Sequence, residues 1–359
     1  MLINFVLPAI GNSGGIDVVY KYVDMLTNYG HDVYVYKELK ASNMHRFNSN
    51  SKNVIHQIYC TAKICTQKDK FRHLEDHFVW TVTDRTIRDA DVIIATAWTT
   101  AYKVNALSVS KGIKYYFIQD YEVWDNKCWG EESYKLPLNK IVISSWINKQ
   151  LNENLGLKSC PVVYNGIDLN KFKADLKEER NKYTCLMLNH SLKKKGIKEG
   201  IEAFERARKK VPQLKLIMFG LLDSTNLPDY IEYHQNPSHE ELVKLYSRAN
   251  IFIFPSLEEG WGLTPIEAMA CGCVVVGTNT GFALDIGQNR TNMMISPPGN
   301  VQLLSENIVN IIEDNCLSEY VRSNAKGTVQ YLEWDKSGKR FEEVLKNIDY
   351  EETYNNKSE

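Results

Sequence analysis

The stretch Ile251 to Gly277, IFIFPSLEEGWGLTPIEAMACGCVVVG, constrains this chain more than any other. It opens on β-branched and aromatic residues, the composition of a short buried strand. Pro255 and Ser256 end that strand. A loop carrying Gly260 and Gly262 follows, and then a helix. Thr264 fits its N-cap, Pro265 its first helical position, and Glu267 the acidic place in a capping box. Cys273 to Val276 begins another buried strand. The order strand, glycine loop, helix, strand aims the positive end of the helix at the loop. Backbone N–H groups there favour an anion, typically phosphate. Glu259 and Glu267 stand eight positions apart, one in the loop and one in the first helical turn. Carboxylates beside a phosphate site do not neutralise it. They are suited to accept hydrogen bonds from the hydroxyls of a ribose or a sugar ring. A plainer reading leaves Glu267 as a helix cap, worth about 1 kcal/mol, and Glu259 as a solvated loop acid.

FPSLEEGWGLTPIEAMACGCVVVG resembles the signature of retaining glycosyltransferase family 4, with its Pro-Ser strand end, Glu-x7-Glu spacing, Gly-aromatic-Gly step and Ala-Met-Ala-x-Gly continuation. The resemblance implies the GT-B fold: two Rossmann-like, doubly wound α/β domains facing across a cleft, with a C-terminal helix crossing back to the first. It implies that Glu259 contacts the donor sugar hydroxyls and Glu267 the ribose. Gly262, Leu263 and Thr264 then hold the diphosphate.

The 359 residues suggest about two domains. A net charge of −1 argues against a general nucleic-acid binder. The eight cysteines form no CxxC pair and fit unpaired thiols in a reducing cytoplasm. Cys271 and Cys273 read as small core residues rather than metal ligands. Met1 to Ile10 is apolar but too short to span a bilayer, and no other run approaches ~20 apolar residues. Any membrane contact is expected to be peripheral, at the inner face of the plasma membrane.

Taken in order, Leu2 to Leu7 reads as a strand and GNSGG (residues 11–15) as the loop before a helix. Val19, Tyr22, Val23 and Leu26 lie at the spacing of one helical face, and Gly30 suits the helix end. GNSGGI is not the dinucleotide fingerprint. The family resemblance makes Gly14 and Gly15 the glycine step that approaches the donor phosphates; a tight turn is the plainer role. Residues 37 to 80 read as irregular and are expected to hold part of the acceptor site. His73 and His77 share a helical spacing. Asp89-Ala90-Asp91 precedes a strand rather than following it, which argues against a metal motif. Tyr115 to Gln119 is a strand, and Asp120, Tyr121 and Glu122 leave its carboxyl end. Asp120 or Glu122 is expected to bind or orient the acceptor near Trp124 and Trp129, unless they are surface acids around core aromatics. PVVYNGID, residues 161–168, resembles the family's crossover between domains.

The second domain opens with strand Thr184 to Asn189. His190-Ser191-Leu192-Lys193-Lys194-Lys195-Gly196 follows and leads into a helix. Three lysines there suit a diphosphate and the charge growing on it as it leaves; a solvated basic loop is the ordinary alternative. The resemblance makes Lys195 the phosphate-holding lysine. It places His190 where the family usually has arginine, a cation only partly charged at neutral pH. Ser238 and Glu241 read as a capping box. Leu332-Glu333-Trp334 resembles an end-of-domain turn, and Phe341 to Ile348 is amphipathic.

The expected domains are 1–165 for the acceptor, 166–338 for the nucleotide sugar, and 339–359 for a returning helix with a polar tail. Hinge closure is expected to exclude water. The expected activity is metal-independent, retaining transfer of a hexosyl group to a glycan or lipid-linked acceptor in cell-surface polysaccharide synthesis. The nucleotide diphosphate sugar is a co-substrate and no cofactor is implied. Lys195, Glu259 and Asp120 are the expected catalytic groups. The alternatives are a nucleotide-sugar epimerase of the same architecture and a degenerate nucleotide-sugar-binding subunit. An oxidoreductase is disfavoured by the missing fingerprint and ribose-binding acid.

Overall fold

The computed structural model describes residues 1–8, 14–41, 50–67, 73–123, 126–225 and 227–347. The chain divides into two compact units. One comprises residues 1–143, 147–163 and 337 onward, the other 144–146 and 164–336.

The first unit runs β1 (Leu2–Leu7), α1 (Gly14–Asn28), β2 (Asp32–Glu38), α2 (Asn50–Gln67), β3 (Asp76–Val79), β4 (Val92–Ala95), α3 (Trp98–Asn105), β5 (Ile113–Ile118), α4 (Lys127–Lys135), β6 (Asn139–Val142) and α5 (Ser145–Leu155). Its strands form one parallel sheet in the order β3-β2-β1-β4-β5-β6. The α1 stripe of Val19, Tyr22, Val23 and Leu26 is buried as its spacing predicts. Gly30 closes that helix at φ +87°, where a side chain would be strained.

The second unit contains β7 (Asn181–Leu188), α6 (Ile197–Lys210), β8 (Lys215–Gly220), β9 (Glu232–Gln235), α7 (His239–Arg248), β10 (Ala249–Phe254), α8 (Leu263–Ala270), β11 (Val274–Thr278), β12 (Met294–Ser296), α9 (Val301–Glu313) and α10 (Asn315–Val329). Its order, β12-β11-β10-β7-β8-β9, is the same winding: the first strand sits centrally and the chain turns back from its other side. Both sheets therefore reverse direction next to their first strand. Ligands of open α/β sheets collect at the carboxyl ends flanking that point. Here it lies between β7 and β10, which pair in parallel. The core on the sheet's faces includes Phe204, Ile251, Val276 and Ile308. Cys271 and Cys273 are buried within this unit.

α11 (Trp334–Lys346) carries the chain back. Gly166 admits its start, because a Cβ there would lie 2.6 Å from the Trp334 Cα. From Ser337 onward the helix belongs to the first unit. Phe341 stacks on Tyr22 at 4.4 Å, and the Tyr115 hydroxyl donates to the Val344 carbonyl at 3.2 Å. The two doubly wound domains and the returning helix are as the sequence implies.

Residues 37 to 80 depart from their reading. They contain the 18-residue α2 and the edge strand β3. The helical period is hidden because it is turned over. Val54, Ile55, Ile58 and Tyr59 face solvent, while Asn53 is buried and Gln57 and Thr61 bind the backbone of Ala41. His73 and His77 are not on a helix; they stack on Tyr20 and Tyr34.

The Ser238 capping box is present. Ser238 N donates to Glu241 Oε2 at 2.7 Å, and Glu241 N donates back to Ser238 Oγ at 3.3 Å. Ser238→Ala is expected to lower stability by about 1 kcal/mol, read as an earlier midpoint in urea unfolding.

Candidate donor-sugar site

The site is built by the loops that leave the carboxyl ends of β7 and β10. After β7 the chain makes a tight 3₁₀ turn, Lys193–Lys195, and Gly196 follows at φ +64°. A Cβ on Gly196 would lie 2.0 Å from the Pro255 carbonyl oxygen, so the two loops touch backbone to backbone. The Lys194 carbonyl accepts from Leu257 N at 2.7 Å and from Glu258 N at 3.2 Å. This stitching fixes Lys195 opposite Glu259: Nζ donates to Oε2 at 2.6 Å, with both side chains largely buried. Ser256 Oγ donates to the same carboxylate oxygen at 3.2 Å. Lys195, Ser256, Glu259 and Thr264 line one narrow cavity.

α8 begins differently from its sequence reading. Its cap is Gly262, at φ +97°, and no side chain caps the helix. Thr264 and Pro265 sit inside the first turn, and Glu267 is past it. The correction has a physical cause: a left-handed glycine ends the loop one position before Leu263, so the helix starts early and Glu267 rotates inward. There it accepts the Tyr246 hydroxyl at 3.0 Å. Burial raises the Glu267 pKa to about 7, opposed by that hydrogen bond. With no capping side chain in the way, the amides at Leu263 and Thr264 head a helix that starts in the cavity wall.

His190 lies outside that cavity, in the wall of a neighbouring pocket with Asn189, Ser191 and Lys198. Leu192 N–H donates to its Nδ1 at 3.0 Å. In the neutral ring Nε2 therefore carries the proton and can still donate to an anion. Burial, and then the Lys195 charge, lower the His190 pKa. The structure thus gathers Lys195, Glu259 and Thr264 about one cavity, with His190 electrostatically coupled to Lys195 and Glu259.

The remaining expected residues lie in the first unit. Gly14 opens α1, and the Gly15 carbonyl accepts from Gln119 Nε2 at 3.0 Å. Asp120 bonds the amide of Tyr121. Glu122 is not a surface acid. It is buried and accepts from Trp98 N at 2.8 Å and Tyr116 Oη at 3.2 Å, holding the start of α3. That corrects its assignment to the acceptor. Trp129 is exposed, whereas Trp124 and residues 11–13 lie outside the described residues. Asp89 and Asp91 are used structurally, by Lys111 and by Leu2 N.

Sequence reasoning missed three contributors. Ser256 was legible only as a strand end. Tyr246 offered no signal beyond its place on a helical stripe. Gly281, at φ +53°, is required because a Cβ would lie 2.4 Å from the Trp261 oxygen and 3.0 Å from Glu259 Cγ.

Comparison with known proteins supplies the context for this geometry. The family of glycosyl transferases group 1 matches residues 168–328. A capsular polysaccharide biosynthesis glycosyltransferase, CapM, of Staphylococcus aureus is 29% identical over 246 residues, covering 62% of this chain and 63% of that protein. The N,N'-diacetylbacillosaminyl-diphospho-undecaprenol alpha-1,3-N-acetylgalactosaminyltransferase of Campylobacter jejuni is 26% identical, covering 60% and 64%. The chain thus spans under two thirds of the length of these curated relatives. Among solved structures, sucrose-phosphate synthase from Thermosynechococcus elongatus superposes with a TM-score of 0.72 at 17% identity, covering 96% of this chain and 98% of its own. Anabaena HepE in complex with UDP-glucose superposes at 0.71 and 16% identity, covering 97% and 100%.

Proposed function

We infer that this chain, a member of the glycosyl transferases group 1 through residues 168–328, moves a sugar from a nucleotide diphosphate sugar to a glycan or lipid-linked acceptor. The observation that carries the reading is the Lys195–Glu259 contact of 2.6 Å in the cavity that α8 heads. A cation for diphosphate, an acid for sugar hydroxyls and a helix N-terminus share one small space. The donor would part the pair, its phosphates taking Lys195 and the amides at Gly262, Leu263 and Thr264, its sugar hydroxyls taking Glu259. Glu267 would accept from the ribose.

The reaction class rests on the family resemblance, and the groups lining the cavity are compatible with it. Lys195 and the helix terminus stabilise charge on a departing diphosphate. Transfer with retention then has the leaving phosphate accept the acceptor's proton on the face of attack, without a metal. The acceptor is assigned to the first unit, with Asp120 as its candidate contact, while Gly14 and Gly15 are assigned by the family resemblance to the donor phosphates. The relatives' names place two of them in capsule or lipid-linked glycan assembly, which favours a surface polysaccharide pathway. Among the described residues no helix is long and apolar enough to cross a membrane.

The test is a thermal-shift panel of nucleotide diphosphate sugars, followed by mass spectrometry of products from the best binder. A transferred sugar is the expected result. Interconversion of the sugar without an acceptor would instead identify an epimerase, and no binder at all would overturn the donor site.

His190 favours a second reading, a subunit that binds nucleotide sugars without transfer, because a largely neutral ring stabilises departing phosphate less than arginine. His190→Arg is expected to tighten nucleoside diphosphate binding about tenfold, the gain of one charge-assisted hydrogen bond, measured by calorimetry. Slow donor hydrolysis by the parent chain, absent in Glu259→Ala, would exclude the non-enzymatic reading.

A further inference from the structure

The second unit has another cavity, near the amino ends of β7 and β11. It is ≈ 590 Å³, within the range of small-molecule sites. Its walls come from residues 169–180 before β7, the carboxyl end of α8 and the outer face of α10. Phe172 and Leu176 supply apolar surface, and Leu176 is 92% exposed.

Its charge is unbalanced. Lys173, Arg180, Arg322 and Lys326 line it, against the carboxylate of Glu319. The two guanidinium groups converge on one helix end. Arg180 donates to the Cys271 carbonyl at 2.7 Å and Arg322 to that of Gly272. A helix terminus supplies about half a negative charge, and Glu319 meets Arg322 at 3.2 Å with its side chain 72% exposed. Burial, and then the neighbouring Arg180, hold Arg322 below the usual guanidinium range. The exposed Lys173 and Lys326 add two more positive charges at the rim.

We propose that this cavity is a second ligand site, for a small molecule carrying a phosphate on an apolar body, and that its occupancy tunes donor binding. The anion fits the excess of positive charge, and the apolar part fits Phe172 and Leu176. The coupling has a contiguous route. Arg180 donates to the Tyr246 carbonyl at 3.2 Å, and the Tyr246 hydroxyl bonds Glu267. α8 itself joins the two places, running about 12 Å from the donor cavity to this one. The coupling half rests on the function proposed above; the binding half does not.

Phenyl phosphate is the probe, with benzyl alcohol as its uncharged counterpart and the intact chain titrated by calorimetry. Saturable binding of phenyl phosphate is expected, with none of benzyl alcohol. Lys326→Glu and Lys173→Glu alter exposed side chains and should each weaken binding about tenfold or more while melting like the parent. Lys195→Ala should leave it unchanged. No saturable binding, or binding lost in Lys195→Ala and kept in Lys326→Glu, overturns the site. UDP affinity should change when phenyl phosphate is saturating, and phenyl phosphate affinity should change by the same factor with UDP bound. Unchanged UDP affinity overturns the coupling. A chain that takes phenyl phosphate but no nucleotide speaks against the transferase reading and leaves the cavity standing.

Discussion

Lys195→Ala is expected to lower turnover by about 10²–10³-fold, the usual cost of removing one preorganised group that stabilises developing charge. Lys195 sits on a turn whose position is set by backbone contact between Gly196 and Pro255. Its ammonium is therefore held in place before the donor arrives and needs no reorganisation when charge grows on the leaving diphosphate. In the empty protein it is neutralised by Glu259 at 2.6 Å. The substitution releases Glu259 from that partner, leaving Ser256 to hold it. The measurement is steady-state transfer with the best donor from the panel, beside a melting curve. A double-mutant cycle with Glu259→Gln should be strongly non-additive, because each residue lies against the other. Turnover near the parent's in the folded variant would remove Lys195 from the chemistry.

Glu267→Gln is expected to stabilise the protein at alkaline pH while weakening the donor site. Burial lifts the Glu267 pKa from 4.5 to about 7. The folded state thus prefers the protonated acid more than the unfolded chain does. Stability from this group is fully present below about pH 4.5 and lost as pH rises through about 7, amounting to something on the order of 3 kcal/mol. Glutamine cannot ionise and still accepts the Tyr246 hydroxyl. The variant should therefore unfold at higher urea than the parent at pH 8 and at about the same urea at pH 4.5. Nucleoside diphosphate affinity should fall at pH 8, where the parent offers a carboxylate to the ribose. The parent's affinity should weaken through this group as pH drops below about 7 and the carboxylate is lost. An alkaline urea midpoint equal to the parent's would show that Glu267 is already relieved in the fold, and unchanged nucleotide affinity would detach it from the ribose.

Much of this was legible before any coordinates. β1, the α1 stripe and the β10–α8–β11 order announce themselves through apolar period and turn residues, and the Ser238 box through its cap. Pairing Lys195 with Glu259 required more. Their 64-residue separation closes only because β7 and β10 are neighbours at the reversal of strand order, a property of the whole sheet. Glu267 shows the limit in the other direction. Its position after Thr264 and Pro265 looks like a cap, yet the left-handed Gly262 shifts the helix start, and Tyr246, remote in sequence, claims the carboxylate. α2 escaped because its apolar side faces outward, so the usual link between period and burial points the wrong way. Glu122 was misjudged because a carboxylate can be buried cheaply when a helix N-terminus and a tyrosine receive it.

The returning α11 has a bearing on how the polypeptide is made. Phe341 packs against both Tyr22 and Phe117, which also touch each other, in the first unit. At ribosomal speeds of about 5–20 residues per second, the residues that surround it wait on the order of tens of seconds for that ring. The second unit emerges in the meantime with every strand of its own sheet to hand. The half of the chain translated first is therefore the half whose interior is sealed last, and a nascent chain stalled before Phe341 would expose an open aromatic hollow to chaperones.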